Sequence, residues 1–95
     1  MDREHVVHGK TVTFRETYPV AEYHDLPHLW YLANQDDATF EHKAKVLARL
    51  IERWEFDGDP NDPAAIAALN LWSEFWPLWV AAVVEVGKQL DAEKN

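Results

Sequence analysis

Leu71-Trp72-Ser73-Glu74-Phe75-Trp76-Pro77-Leu78-Trp79-Val80-Ala81-Ala82-Val83-Val84-Glu85-Val86 is the stretch around which the rest of the chain is organised. It carries three of the five tryptophans and only two ionisable side chains, Glu74 and Glu85. Wound as a helix it is apolar on nearly every side, which marks a helix that is centrally buried or that meets a partner. A membrane span needs roughly 20 mainly apolar residues, and this run is shorter and interrupted. On a helix Trp72, Trp76 and Trp79 share a face, with Phe75 and Leu78 beside it. Asn70 or Ser73 can cap that helix, Pro77 belongs near its first turns or marks a kink, and Gly87 weakens its end.

Working outward, the size of the chain sets a conflict. Its 95 residues make one domain, with residues 1–4 and 91–95 expected to fray. A chain of this size buries roughly 60–70% of its unfolded surface, yet 47% of its residues are hydrophobic. Some apolar groups are therefore expected to stay exposed or to be covered by another molecule. The net charge of -8 repels nucleic-acid phosphates and anionic lipid headgroups, so neither is an expected partner. The absence of cysteine excludes disulfides and thiolate metal sites. Met1-Asp2-Arg3-Glu4-His5 has no apolar signal core, so a soluble protein of the cytoplasm is expected.

Upstream, Val6-Val7 and Lys10-Thr11-Val12-Thr13-Phe14-Arg15 flank His8-Gly9. The second piece alternates like a half-buried strand, and His8-Gly9 can turn a hairpin. Pro19 opens a helical segment that Pro27 interrupts, giving a broken helix from Pro19 to His24 and from Leu26 to Ala33, with Asp25 as the second cap. From Ala38 to Trp54, Phe40, Ala44, Leu47, Ile51 and Trp54 recur at spacings of three and four, with Leu50 beside them, which predicts one amphipathic helix. His42, Lys45, Arg49 and Arg53 fall on its other side. Glu55 to Pro63 reads as a loop, Asn61 or Asp62 caps a short helix from Ala64 to Leu69, and Pro63 takes its first position. The predicted class is α+β, mainly α: a short N-terminal strand or hairpin followed by four or five helices.

Few residue groups carry chemistry. His24 and His28 stand four apart, the spacing of a zinc pair, but Pro27 lies between them and no third ligand is spaced to join them. Asp57, Asp59 and Asn61 alternate as in a calcium loop, which requires Gly at its sixth position and Glu at its twelfth; Asp62 and Ala68 stand there instead. Ser73 is the only serine and has no nucleophile elbow around it. The carboxylate pairs Asp36/Asp37 and Asp57/Asp59 sit in polar segments, where nothing separates their acidities. We therefore expect no enzyme, no metal and no cofactor. Tryptophan combines area with one polar handle and is favoured in interfaces. That makes Trp72, Phe75, Trp76 and Trp79 the expected partner-binding residues, with Trp30 and Trp54 lining a groove or lying in the core. Lys45, Arg49 and Arg53 form a candidate basic interface for an acidic partner or a second copy.

The order of elements adds a resemblance. The strand Lys10-Thr11-Val12-Thr13-Phe14-Arg15-Glu16-Thr17 leads into a helix at Val20–Leu26. A long helix ends in Leu50-Ile51-Glu52-Arg53-Trp54-Glu55-Phe56-Asp57-Gly58-Asp59, Asp62-Pro63 opens a small helix to Leu69, and a terminal helix follows. This layout is similar to that of the small tail assembly chaperones of long-tailed bacteriophages, α-rich proteins with a loose Trp-polar-x-Asp stretch before a short helix. The resemblance implies a non-enzymatic protein that binds the hydrophobic tape measure protein in the host cytoplasm and helps tail-tube subunits polymerise around it. The tryptophan-dense last helix, with its proline, departs from the family's usual look. The alternative is a small structural or adaptor subunit of a virion or another self-assembling complex, satisfied by homo-oligomerisation.

Overall fold

The turn His8-Gly9 joins β1 (Glu4–Val7) to β2 (Lys10–Phe14), with Val7 paired to Lys10 across it. Both turn residues have positive φ, 50° for His8 and 78° for Gly9, the backbone of the two-residue turn whose twist matches that of paired strands. Two strands alone are marginal in water. In this computed structural model, which describes residues 3–94, a third antiparallel strand, β3 (Ile51–Trp54), completes a sheet of order β1-β2-β3.

That strand corrects the expected helix from Ala38 to Trp54. Helix α3 runs only from Phe40 to Leu50, and the backbone turns extended at Ile51. The periodicity does not separate the two states here, because Ile51 is buried in either. The sheet decides: Arg15 N–H donates to the Leu50 carbonyl at 2.8 Å, Phe14 pairs with Ile51, and Val12 pairs with Trp54. Asn61 secures the change of direction, its side-chain amide donating to the carbonyls of Ala48 and Ile51 at 2.8 and 2.9 Å. The residue expected as a cap for the following helix thus ends the preceding one. Asp62 caps α4 (Pro63–Ala67) through the Ala64 N–H.

Between sheet and α3, the broken helix forms as predicted, α1 at Val20–Tyr23 and α2 at Leu26–Ala33. Asp25 precedes α2 without a side-chain cap; its carboxylate instead takes both guanidinium nitrogens of Arg49 at 3.1 Å. The Arg49 hydrogen bonds are the leading reason that this carboxyl lies below the usual carboxylate range. At the other end of the broken helix, Lys43 donates to the Ala33 carbonyl at 2.9 Å.

Leu71–Phe75 is a π turn, and α5 runs from Trp76 to Lys94. Glu4 lies in β1, the Arg3 carbonyl accepts from the Phe14 N–H at 3.0 Å, and residues 91–94 continue α5; residues 1, 2 and 95 of the ends expected to fray lie outside the described residues. Pro77 explains the π turn. It has no N–H for the carbonyl four residues back, and its ring crowds that carbonyl, so the preceding turn opens to bonds spanning five residues. Phe75 N–H reaches the Asn70 carbonyl at 2.8 Å, and Trp76 N–H reaches that of Leu71. Asn70 caps the start, accepting from Ser73 N–H and hydroxyl, while Glu74 accepts from Asn70 N–H.

The core gathers Val12 and Phe14 from the sheet, Val46, Leu47 and Leu50 from α3, Ile66 from α4, and Phe75, Leu78, Trp79 and Ala82 from the last elements. One carboxyl is buried among them. Glu85, 2% exposed, meets His5 Nε2 at 3.0 Å and accepts a longer bond of 3.4 Å from Gln89, which also donates to the Arg15 carbonyl. These contacts fasten α5 to the hairpin. Removing one partner leaves a buried polar group short of hydrogen bonds, whereas replacing the group itself with an apolar one does not. His5→Ala is therefore expected to cost about 1–3 kcal/mol in denaturant unfolding, and Glu85→Leu distinctly less. The reverse order would remove this contact from the account of the fold.

Candidate functional site

The wide turn at Leu71–Phe75 advances each residue through a smaller angle than an α-helix does, so side chains on either side of it fall out of α-helical phase. This carries Trp72 away from Trp79, while Trp76 and Trp79, three residues apart within α5, stand on either side of the edge of the core. Phe75 and Trp79 turn inward, 3% and 6% exposed, whereas Trp72 and Trp76 turn outward, 75% and 45% exposed. Phe75 packs edge-on against Phe40 at 5.0 Å between centroids, and Trp79 lies 5.5 Å from Trp30 and beneath the Lys43 ammonium. The expectation that all four bind a partner is corrected for Phe75 and Trp79: both are core.

What remains outside is a continuous apolar face. Leu71 and Trp72 open it, and Trp76, Val80, Val83 and Val84 extend it along α5, each of them exposed. From Trp76 through Gly87 no exposed residue of the helix is charged, because the one ionisable group there, Glu85, points inward. Acidic or basic partners find no complement on it.

A second feature lies between the broken helix and the end of α5. Tyr18, Tyr23, Leu26, Trp30, Val86 and Leu90 line an open cleft of about 430 Å³. Its walls are almost wholly apolar, with His24 and Gln89 as polar points. Burial, the largest influence, pushes the Tyr18 phenol up to about 12. Trp30 thus joins a groove and touches the core through Trp79. Trp54 packs on the core rather than in that cleft: it is half-buried against the core residue Phe56 and donates its indole N–H to the Gly58 carbonyl at 2.9 Å, holding the loop after β3.

The basic row is not assembled either. With the chain extended from Ile51, Arg53 leaves the helix, and it meets its neighbour Glu52 at 3.2 Å. Arg49 is held by Asp25 and the Glu22 carbonyl, with its guanidinium 4.9 Å over the Tyr23 ring. His42 closes a capping box with Thr39, and Lys45 alone of the row stands exposed on α3. His24 ends α1, and His28 stacks on Tyr31. Among the described residues, no three His, Asp or Glu side chains are grouped to hold a metal ion, and no helix is long and apolar enough to cross a membrane. The buried Glu85 contact and the Asn61 bridge were beyond sequence reasoning, since each joins residues far apart in the chain; the isolated Glu85 in an apolar run was the available signal.

Trp79→Ala is expected to destabilise the fold by about 3–5 kcal/mol, against less than about 0.5 kcal/mol for the outward Trp72→Ala, in denaturation at low chain concentration. Equal losses would contradict the division of the tryptophans. The Tyr18 phenol has a folded value above its unfolded one, so its contribution is complete below pH 10 and is lost as pH rises toward 12. Tyr18→Phe should flatten that part of the alkaline unfolding curve.

Compared with protein-family models, with curated proteins and with solved structures, the chain finds no match.

Proposed function

We propose that this chain is a non-enzymatic binding protein, a tail assembly chaperone that holds the hydrophobic tape measure protein of a long-tailed bacteriophage in the host cytoplasm. The observation that carries the binding role is the uncharged outer face of the π turn and α5, on which Trp72 stands 75% exposed with Trp76, Val80, Val83 and Val84 in line. Isolated apolar side chains on a surface need no explanation, but a contiguous aromatic and aliphatic patch marks an interaction site. Its shape suits an apolar helical segment laid alongside it, with Trp72 and Trp76 as anchors. The cleft lined by Trp30, Leu26 and Leu90 offers a place for a further apolar side chain of the same partner. The acidic remainder of the surface keeps the carrier in solution before it meets its client. The chaperone identity and its client come from the resemblance of layout and have the apolar face as their support.

The second reading is a small structural or adaptor subunit of a virion, favoured by the same face being uncharged throughout, as in permanent interfaces. The two differ in what is held. Co-expression with a tape measure fragment that is insoluble alone should bring that fragment into the soluble fraction, and Trp72→Ala/Trp76→Ala should return it to the pellet. A fragment that stays insoluble beside the folded parent chain would rule out the chaperone reading.

A further inference from the structure

We infer that in the free protein this face is covered by a second copy of the chain, with α5 packed antiparallel on its twofold mate. The inference rests on the preceding reading only in taking the face as a binding surface.

The first observation is spacing. Along α5 the outward positions Trp76, Val80, Val83, Gly87 and Leu90 follow one another at intervals of four, three, four and three, and all are exposed. A seam of this period stays against a neighbouring helix through successive turns. Heptad seams are ordinarily covered; this one faces outward from Trp76 to Leu90.

The second is Gly87. Glycine inside a helix is unfavourable by roughly 1 kcal/mol relative to alanine, and among the described residues no neighbour requires it. A Cβ at Gly87 would meet no atom within 4 Å. The empty space beside it lies on the outward side, where a group from another molecule fits and a side chain on this residue would obstruct.

The third is self-complementarity. A twofold axis passing between Val80 and Val83 sets Val80 of one chain against Val83 of the other, and in the same register sets Trp76 against Gly87. The largest side chain of the seam then meets the smallest, twice, by symmetry. Such matching is the condition for an isologous interface and closes the assembly at two chains. A foreign helix has no reason to share that register.

Area is sufficient. With ~150–250 Å² for a fully exposed large side chain, the exposed fractions from Leu71 to Leu90 give about 600 Å² per chain and ~1,200 Å² for the pair, the lower end of stable interfaces. No charge on α5 between Trp76 and Gly87 is desolvated in the process, since Glu85 is already buried.

Sedimentation equilibrium of the full chain at tens of micromolar is expected to give a dimer. The deciding variant is Gly87→Met, together with Val80→Asp. In the monomer, Gly87→Met has open space and a better helix former, so its melting temperature at low concentration should rise; in the dimer it fills the place of the opposing Trp76, so dissociation should strengthen about tenfold or more. Val80→Asp should give a monomer with unchanged far-ultraviolet dichroism. A parent chain monomeric at all concentrations, an assembly larger than two, or a Gly87→Met dimer as tight as the parent would each overturn the inference. A monomer that still solubilises the tape measure fragment sinks the dimer alone. A dimer that obeys these variants but solubilises nothing upholds the dimer and counts against the chaperone reading.

Discussion

The structure depends on the burial of one side of the last helix. Leu78, Trp79, Ala82 and Glu85 of α5, with Phe75 just before it, supply the surface against which α3, the broken helix and the hairpin find cover. A three-stranded sheet and α3 have room for one such surface. Once that place is taken, the chain has no further layer for the opposite side of the same helix, and that side remains apolar and outward. The functional reading grows from this shortage of covering elements rather than from any reactive group.

Pro77 sets the side on which Trp72 emerges. By removing one helical hydrogen bond and widening the turn ahead of it, it shifts Trp72 out of α-helical phase with the residues that follow. Phe75 and Trp79 stay with Phe40, Trp30 and Lys43 in the packed interior, and Trp72 and Trp76 lie at the surface. The proline thus brings Trp72 into line with the outward side of a helix whose two faces follow from its own regular spacing. The exposed glycine further along leaves open space on the same outward side.

Buried polar contacts then fix how the parts sit. His5 and Glu85 join the first strand to the last helix, Gln89 adds the Arg15 carbonyl, and Asn61 bridges the end of α3 to the start of β3. Arg49 binds the joint of the broken helix through Asp25. Asn61 and Asp25 were open to capping roles in the sequence and Arg49 to a surface one, and each was taken up by contacts between separate segments. The apparent basic row was dissolved by the same process.

Local physics was legible in the sequence where a short segment carries its own instruction. His8-Gly9 between alternating residues specifies the hairpin, Pro19 and Pro27 break the first helix, Asp62-Pro63 starts α4, and the apolar density of Leu71–Val86 identifies the dominant helix. Tertiary structure alone decided the state of Ile51–Trp54, because its apolar spacing satisfies a helix and a strand equally and only the open edge of β2 distinguishes them. It also decided the sides of the tryptophans, since the phase across Leu71–Phe75 depends on how the chain accommodates a proline under packing. Propensity and periodicity act over a few residues; pairing and burial act between segments that the sequence keeps far apart.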